Sequence, residues 1–156
     1  MFKLTIIAVG PLKETWWKEA QAEYLRRLSP FAKVAVVEAA AEPFGGSVTP
    51  ATAMKREGER VLSRIPDDAF VIALERTGRR ASSPDLAKLV REEGGAGAHL
   101  VFVIGGAPGL DPAVLAAARA KLSISDMTFT HEMARVFLLE QLYRAMTIVA
   151  GKAYHL

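Results

Sequence analysis

Five short runs of apolar, often β-branched residues recur along the chain, and a helical pattern follows each of them. The runs cover residues 3–9, 32–39, 69–74, 99–105 and 121–125. Because runs of this length are typical of buried strands, the sequence predicts the order βαβαβαβαβα. Strands that alternate with helices form a parallel sheet covered on both faces, and such sheets bind ligands at the carboxyl ends of their strands. We therefore expect an α/β fold whose functional residues lie in the loops after Leu74, Ile104 and Ser125.

Three helix starts are marked by a capping side chain next to a proline, at Thr49–Pro50, Ser83–Pro84 and Asp111–Pro112. The side-chain oxygen satisfies a free backbone N–H, and proline suits the first helical turn. A further helix is predicted over residues 13–29. Since no linker or internal repeat interrupts the pattern, residues 1–156 are predicted to form a single domain.

The composition fits a globular chain and excludes two classes of protein. Apolar residues make up 51% of the chain and charged residues 24%, and no run approaches the roughly 18 apolar residues of a membrane span. Cysteine is absent, which excludes a disulfide framework and thiol chemistry. The N-terminal "MFKLTIIAVG" lacks a cleavage site and reads as a first strand, so we expect a cytoplasmic protein. The net charge of +3 is compatible with a polyanionic partner.

The last predicted helix, residues 132–150, carries two adjacent apolar stripes and ends before Gly151, in the position that favours glycine. A polar line is formed only by Glu140, Arg144 and Thr147, and the first two have the spacing of an ion pair. A second apolar face predicts a twofold homodimer; the alternative is a central core helix within one subunit. The two stripes consist of Val136, Leu139, Tyr143, Met146 and Ala150, and of Phe137, Leu138, Gln141, Ala145 and Ile148.

The loop after the fourth strand, "IGGAPGLDP", is rich in glycine. Glycine just past a buried strand lets a ligand approach the backbone closely, which is typical of a cofactor loop. The loop matches neither G-x-G-x-x-G nor G-K-[ST], so it lacks the spacing of a dinucleotide site and the lysine of a triphosphate site. Taken alone, these residues are equally well explained as turn glycines.

Four segments together resemble the ribosomal RNA large subunit methyltransferase H family, which consists of small SPOUT-class enzymes. The segments are "AVGPLKETWWKEAQAEYLRRLSPF", "FVIGGAPGL", "LSISDMTFTHEMARVFLLEQLYRA" and the terminal "AYHL", so that the resemblance covers essentially the whole chain. It implies an α/β sheet with a deep trefoil knot near the C-terminus and a homodimer that binds S-adenosylmethionine in the knot. The implied reaction is methylation of N3 of a pseudouridine in a hairpin loop of large-subunit (23S) ribosomal RNA, on the assembled ribosome. Neither a metal nor a membrane is implied.

The resemblance also implies which residues hold the cofactor. Most of the matching positions are small or apolar, which suits a cofactor held by backbone amides and carbonyls with its adenine in an apolar slot. They are Leu74, Gly105, Ile124, Ser125, Asp126, Met127, Thr128 and Phe129.

Methyl transfer to N3 requires removal of the imide proton, and histidine is the side chain best suited to accept it near neutral pH. A structural role is expected for His99, and capping or positioning for His131. Of the three histidines, His155 is the best candidate for the catalytic base, since a tail folded over the pocket places it beside the substrate, and Tyr154 can pack on the cofactor or the target base. We expect the tail to complete a site shared between subunits. The family commonly ends with a basic residue after this pair, whereas this chain ends with Leu156, which puts an RNA contact by the last side chain in doubt.

Several arginines are candidates for contacts with RNA phosphates. The segment "ERTGRR" is predicted as a loop that carries Arg76, Arg79 and Arg80 beside the ligand edge of the sheet, and Arg26 lies near the end of the first helix. The alternative for each is an ordinary solvated arginine. The alternatives to a methyltransferase are a catalytically silent ribosome-binding module and a generic nucleotide-binding protein.

Overall fold

The computed structural model describes residues 1–155, and its elements follow the βαβαβαβαβα order that the sequence predicts. A short π-helical turn, Val90–Gly94, extends the third helix. The strands are β1 (Phe2–Val9), β2 (Ala32–Ala39), β3 (Phe70–Arg80), β4 (His99–Ile104) and β5 (Ala120–Ser123), and the helices are α1 (Thr15–Leu28), α2 (Pro50–Leu62), α3 (Ser83–Leu89), α4 (Pro112–Ala117) and α5 (His131–Val149).

The five strands form one parallel sheet in the order β2-β1-β4-β3-β5, which confirms the predicted α/β class. Successive side chains of a strand point to opposite faces, so the central strands supply two apolar layers. On one face Leu4 and Ile6 pack with α1, α3 and α5, and on the other Ile7 and Val9 pack with α2 and α4. Among residues 1–155, none of the helices combines the length and apolarity needed to cross a bilayer.

Two of the three predicted caps are confirmed, and the third is displaced by one residue. Thr49 accepts a hydrogen bond from the Thr52 amide, and Asp111 accepts one from the Ala113 amide. The cap of α3 is Ser82, which forms a reciprocal capping box with Asp85. The prediction of Ser83 as the cap was wrong. Pro84 occupies the second helical position and not the first, so Ser83 is already the first residue of the helix and Ser82 caps it.

The prediction of a loop over "ERTGRR" was wrong, because β3 continues through this segment to Arg80. Its pairing with β5 is interrupted after Leu74 and resumes at Arg79 and Arg80, so that the intervening residues form a bulge. Gly78 makes the bulge fit: a Cβ there would lie 2.8 Å from the carbonyl carbon of Lys121. A side chain at this position would therefore collide with the backbone of β5.

Helix α5 packs against both α1 and α3, so its two apolar stripes are covered largely within one subunit. Leu138, Leu139 and Met146 are buried in the core. Within the second stripe, Leu138 and Ala145 are buried in the subunit, Gln141 and Ile148 are half-buried and Phe137 is exposed. The subunit thus covers part of the face that was expected to need a partner, because neither α1 nor α3 could be placed beside α5 from periodicity alone. The exposed apolar residues that remain on this helix are Met133 and Phe137, at 42% and 39% exposure.

The end of α5 forms as the sequence predicts. Gly151 has a φ of +65°, and the Lys152 amide donates to the Thr147 carbonyl at 2.8 Å, as in a Schellman motif. The predicted ion pair between Glu140 and Arg144 is present at 2.6 Å. Thr147, expected in the polar line, is instead buried and donates its hydroxyl to the helix backbone.

Candidate functional site

A cavity of about 950 Å³ opens at the carboxyl ends of β3, β4 and β5, at the edge of the sheet that the sequence predicts for function. This volume lies in the range that holds a drug-sized ligand. Three stretches of chain line it: residues 74–76 after the apolar part of β3, the glycine loop 104–110, and residues 124–134 before and at the start of α5, apart from Asp126 and Met133.

Of the eight residues expected to hold the cofactor, the cavity brings together all but Asp126. The Asp126 carboxylate instead pairs with Arg80, whose Nε donates to Oδ1 at 3.1 Å. This pair ties the segment before α5 to the end of β3. The seven residues that line the cavity are Leu74, Gly105, Ile124, Ser125, Met127, Thr128 and Phe129.

The glycine loop is shaped by a turn in which the Gly109 amide donates to the Gly106 carbonyl at 3.1 Å. Gly109 has a φ of +91°, a conformation that favours glycine. At Gly105 a Cβ would lie 3.0 Å from the carbonyl carbon of Gly109 and from Leu110. Gly105 is therefore packed closely against other residues of the same loop. A larger side chain at this position would deform one wall of the cavity.

The segment before α5 takes its irregular path through local hydrogen bonds. Ser123 donates its hydroxyl to the Ser125 carbonyl at 2.9 Å, and the Ser125 hydroxyl accepts from the Met127 amide at 3.0 Å. The Phe129 ring stacks on Phe137 with their centroids 5.8 Å apart. Short polar side chains thus fix the backbone of this wall, and the aromatic pair gives it an apolar rim.

His131 and Glu132, in the first turn of α5, also line the cavity, although neither was among the residues predicted to hold the cofactor. The His131 ring lies against Gly10, where a Cβ would be 3.1 Å from its Cε1 atom. Burial lowers the pKa of His131, and the nearby Glu132 opposes this shift only in part. The glycine directly after β1 could have indicated this contact. Gly10 has a φ of +90°, and its missing side chain leaves room for the His131 ring.

Arg135, one turn further along α5, is fully buried and anchors the start of this helix. Its guanidinium donates to the Glu38 carboxylate at 2.7 Å and to the Gly10 carbonyl at 2.6 Å. The Arg135 guanidinium is buried while Glu38 is partly exposed, and the two contacts fix α5 and His131 relative to β1 and β2.

The C-terminal tail lies along α5 of its own chain and does not reach the cavity of that chain. The Tyr154 ring packs edge-on against Tyr143 at 4.7 Å, lies 4.7 Å from the Arg144 guanidinium, and donates its hydroxyl to Glu140 at 3.3 Å. His155 is exposed, with Nδ1 3.5 Å from the Arg144 guanidinium. The expectation about Leu156 falls outside the described residues.

The four candidate arginines differ in their surroundings. Arg76 is exposed and lines the cavity, whereas Arg79 is exposed without lining it. Arg80 is engaged by Asp126, and Arg26 pairs with Glu23 at 2.9 Å. Hydrogen bonds from Arg26 and Arg27 lower the pKa of Glu23 to about 2. Arg76 is thus the one candidate of the four that lies at the cavity.

Comparison with known families and sequences gives a consistent match. A family model described as "Predicted SPOUT methyltransferase" matches residues 2–155. A relative from Carboxydothermus hydrogenoformans named "Ribosomal RNA large subunit methyltransferase H" is 45% identical over 157 residues, covering 98% of this chain and 99% of the relative. A relative of the same name from Bifidobacterium adolescentis is 46% identical, also over 98% of this chain and 99% of the relative.

Solved structures with low sequence identity share the fold. A probable methylase family protein from Haemophilus influenzae superimposes with a TM-score of 0.56 at 14% identity, covering 100% of this chain and 72% of that one. A probable rRNA-methyltransferase from Porphyromonas gingivalis gives 0.54 at 16% identity, covering 94% and 69%. At these identities the similarity concerns the fold alone.

Proposed function

Because the chain belongs to the SPOUT methyltransferase family, as an rRNA methyltransferase of the large subunit methyltransferase H type, we propose that it methylates N3 of a pseudouridine in 23S rRNA with S-adenosylmethionine as donor. The observation that carries the proposal is the cavity at the carboxyl ends of β3, β4 and β5, since seven residues of the family motifs converge there. In this proposal the substrate is the assembled ribosome, and the enzyme acts in the cytoplasm.

The cavity fits S-adenosylmethionine in size and in the chemistry of its walls. Leu74, Ile124 and Phe129 offer an apolar slot for the adenine, and the glycine loop exposes backbone amides and carbonyls. When bound, this cofactor supplies an electrophilic methyl group on a sulfonium. The protein then has to align the acceptor nitrogen with that methyl group, exclude water and remove the imide proton, and none of these tasks needs a metal. Within residues 1–155, no cluster of three potential metal ligands occurs.

We propose that the site is completed by a second copy of the chain. The support is twofold: Tyr154 and His155 lie away from the cavity of their own chain, and an exposed apolar strip, Phe137 and Met133, borders that cavity on α5. A dimer across this strip buries the two side chains and brings one tail towards the partner's cavity. In that arrangement His155 accepts the imide proton of N3, and Tyr154 packs on the target base.

We also propose the trefoil knot of the family. From β5 at one edge of the sheet, the chain returns through residues 124–130 to α5, which packs between α1 and α3. On the way it lies against both the glycine loop and the end of β3. This return path supports a knot around the cofactor cavity. For the RNA, Arg76 at the cavity is the proposed phosphate contact, with Arg79 as a weaker candidate.

The proposal is tested on ribosomes from a strain that lacks this protein. Purified protein and S-adenosylmethionine should restore one methyl group on a pseudouridine of 23S rRNA, detected by mass spectrometry of nuclease fragments. Arg76→Ala should weaken ribosome binding, whereas Arg26→Ala, a matched change away from the cavity, should leave it unchanged. Methylation of a different nucleotide refutes the proposed target, and failure to bind S-adenosylmethionine in calorimetry refutes the donor and favours a silent ribosome-binding module.

A further inference from the structure

Glu57 is a buried acidic residue that the reaction described above does not use. It lies in α2 and is only 3% exposed. One carboxylate oxygen, Oε1, accepts a hydrogen bond from the Glu42 amide at 3.0 Å. The other, Oε2, is buried and has no hydrogen-bond partner among the described residues. An unpaired carboxylate oxygen is costly to bury, so a chain that keeps one invites a functional explanation.

The unpaired oxygen is directed at the glycine loop of the cofactor cavity. A Cβ on Gly106 would lie 3.1 Å from Oε2 and 3.2 Å from Oε1. Because Gly106 has no side chain, the carboxylate packs close to the backbone of the loop, beside Val9. The adjacent Gly58 holds α2 equally close to the far end of the loop, since a Cβ there would lie 2.6 Å from Cβ of Asp111. The carboxylate is therefore fixed behind the cavity wall.

The cavity has charged side chains of its own, since Glu75, Arg76 and Glu132 line it, whereas few charged groups face Glu57 directly. From its own helix it is faced by Arg60, and from the loop after β2 by Glu42, which itself pairs with Arg56 and Arg60. On the glycine-loop side its neighbours are Gly106 and Val9, which carry no charge. Burial raises the pKa of Glu57, while the Glu42 amide and the charge of Arg60 oppose the shift.

We propose that Glu57 is a specificity-determining residue that favours the cationic methyl donor over the demethylated product. This proposal rests on S-adenosylmethionine as the cofactor. The sulfonium carries a positive charge that becomes a neutral thioether when the methyl group leaves, while the rest of the molecule is unchanged. A carboxylate packed against the backbone of the cavity wall attracts the cation and has no such attraction for the thioether. Glu57 thereby tightens donor binding and eases product release without touching either ligand.

The proposal predicts a proton linkage that no purely structural role would produce. A nearby cation favours the ionised form of a carboxyl group and lowers its pKa. Molecules in which the raised pKa keeps Glu57 protonated should therefore release that proton when S-adenosylmethionine binds. S-adenosylhomocysteine, which lacks the charge, should bind with less proton release. Isothermal titration of both ligands in two buffers of different ionisation enthalpy measures this difference directly.

The decisive variant is Glu57→Gln, which keeps the shape of the side chain and removes its charge. We expect the preference for S-adenosylmethionine over S-adenosylhomocysteine to fall by about fivefold, a change of the size expected for one charge acting through a protein wall. The difference in proton release should disappear. The matched control is Glu59→Gln on the exposed side of the same helix, which changes the net charge equally and should leave the preference as in the wild type.

Each outcome decides a separate point. An unchanged preference and unchanged proton release in folded Glu57→Gln overturn the role of Glu57 and leave the proposed function intact. A wild-type protein that binds neither ligand refutes the proposed cofactor instead. If Glu57→Gln does not fold, the two-buffer titration of the wild type serves, and equal proton release on binding of the two ligands contradicts the proposal.

Discussion

Removing the last three residues, 154–156, should abolish most methylation while leaving the fold intact. The structure gives the cost in stability. Deletion loses the edge-on pair with Tyr143, worth about 0.5–1.5 kcal/mol, and the partly exposed contact with Arg144, worth about 0.5–1 kcal/mol. The free energy of unfolding should therefore fall by about 1–2 kcal/mol, which lowers Tm by roughly 2–8 °C in a domain of this size.

The expected loss of activity is larger than the loss of stability can explain. Loss of a general base and a positioning group typically lowers the rate by about 10²- to 10⁴-fold, or about 3–5 kcal/mol of barrier. A domain with about 5–15 kcal/mol of stability stays folded after losing 1–2 kcal/mol, so the fall in rate would report on the site. Single-turnover methylation of ribosomes measures it, with Tm followed in parallel. Methylation by the truncated protein at the full rate would refute the role of the tail.

A mixing experiment separates a shared site from a site within one subunit. Subunits without residues 154–156 have an intact cavity but no tail, and subunits with Gly105→Val have a tail but a deformed cavity. If the tail serves the partner's cavity, mixed dimers contain one complete site and regain activity on co-expression. If each tail serves its own cavity, the mixture stays as inactive as its components.

Three further predictions concern the dimer, the cavity and pH. Phe137→Glu should yield folded monomers in light scattering, with Tm lowered by loss of the stack on Phe129 and of the dimer contact, whereas Leu139→Glu places an unpaired charge in the core at a cost of several kcal/mol and should unfold the chain. A stable wild-type monomer at micromolar concentration would contradict the dimer. Gly105→Val should lose S-adenosylmethionine binding in calorimetry while its circular dichroism stays native, because the new side chain meets Gly109; unchanged affinity would exclude the glycine loop as a cofactor wall. Since burial holds the pKa of His131 below its ordinary value of 6.5, the unfolded chain binds the proton more readily, and stability should fall as the pH drops below 6.5; urea unfolding at pH 5.5 and 7.5 should show a smaller difference for His131→Gln than for the wild type.

The order of strands and helices was determined by the sequence itself because each element carries its own signal. Apolar runs mark the strands, and caps at Thr49 and Asp111 mark helix starts. The end of α5 is equally local, since a Schellman motif needs only Gly151 and the residues beside it. The edge of the sheet that holds the cavity was also predicted from the strand pattern, because the carboxyl ends of parallel strands meet at one edge. The individual cofactor residues came from the family resemblance.

What only the tertiary structure decided depends on contacts between distant parts of the chain. The extension of β3 through Arg80 depends on the backbone of β5, and the pairing of Arg80 with Asp126 joins residues 46 positions apart. The covering of α5 by α1 and α3 depends on packing that periodicity does not encode. Glu57 reads in the sequence as one more charge on a helix, and it becomes a candidate for tuning the cofactor site only because Gly106, 49 positions away, leaves its carboxylate facing the cavity wall. The residues within each segment determine whether it forms a strand or a helix, whereas the charges and surfaces of the site are formed by contacts between segments.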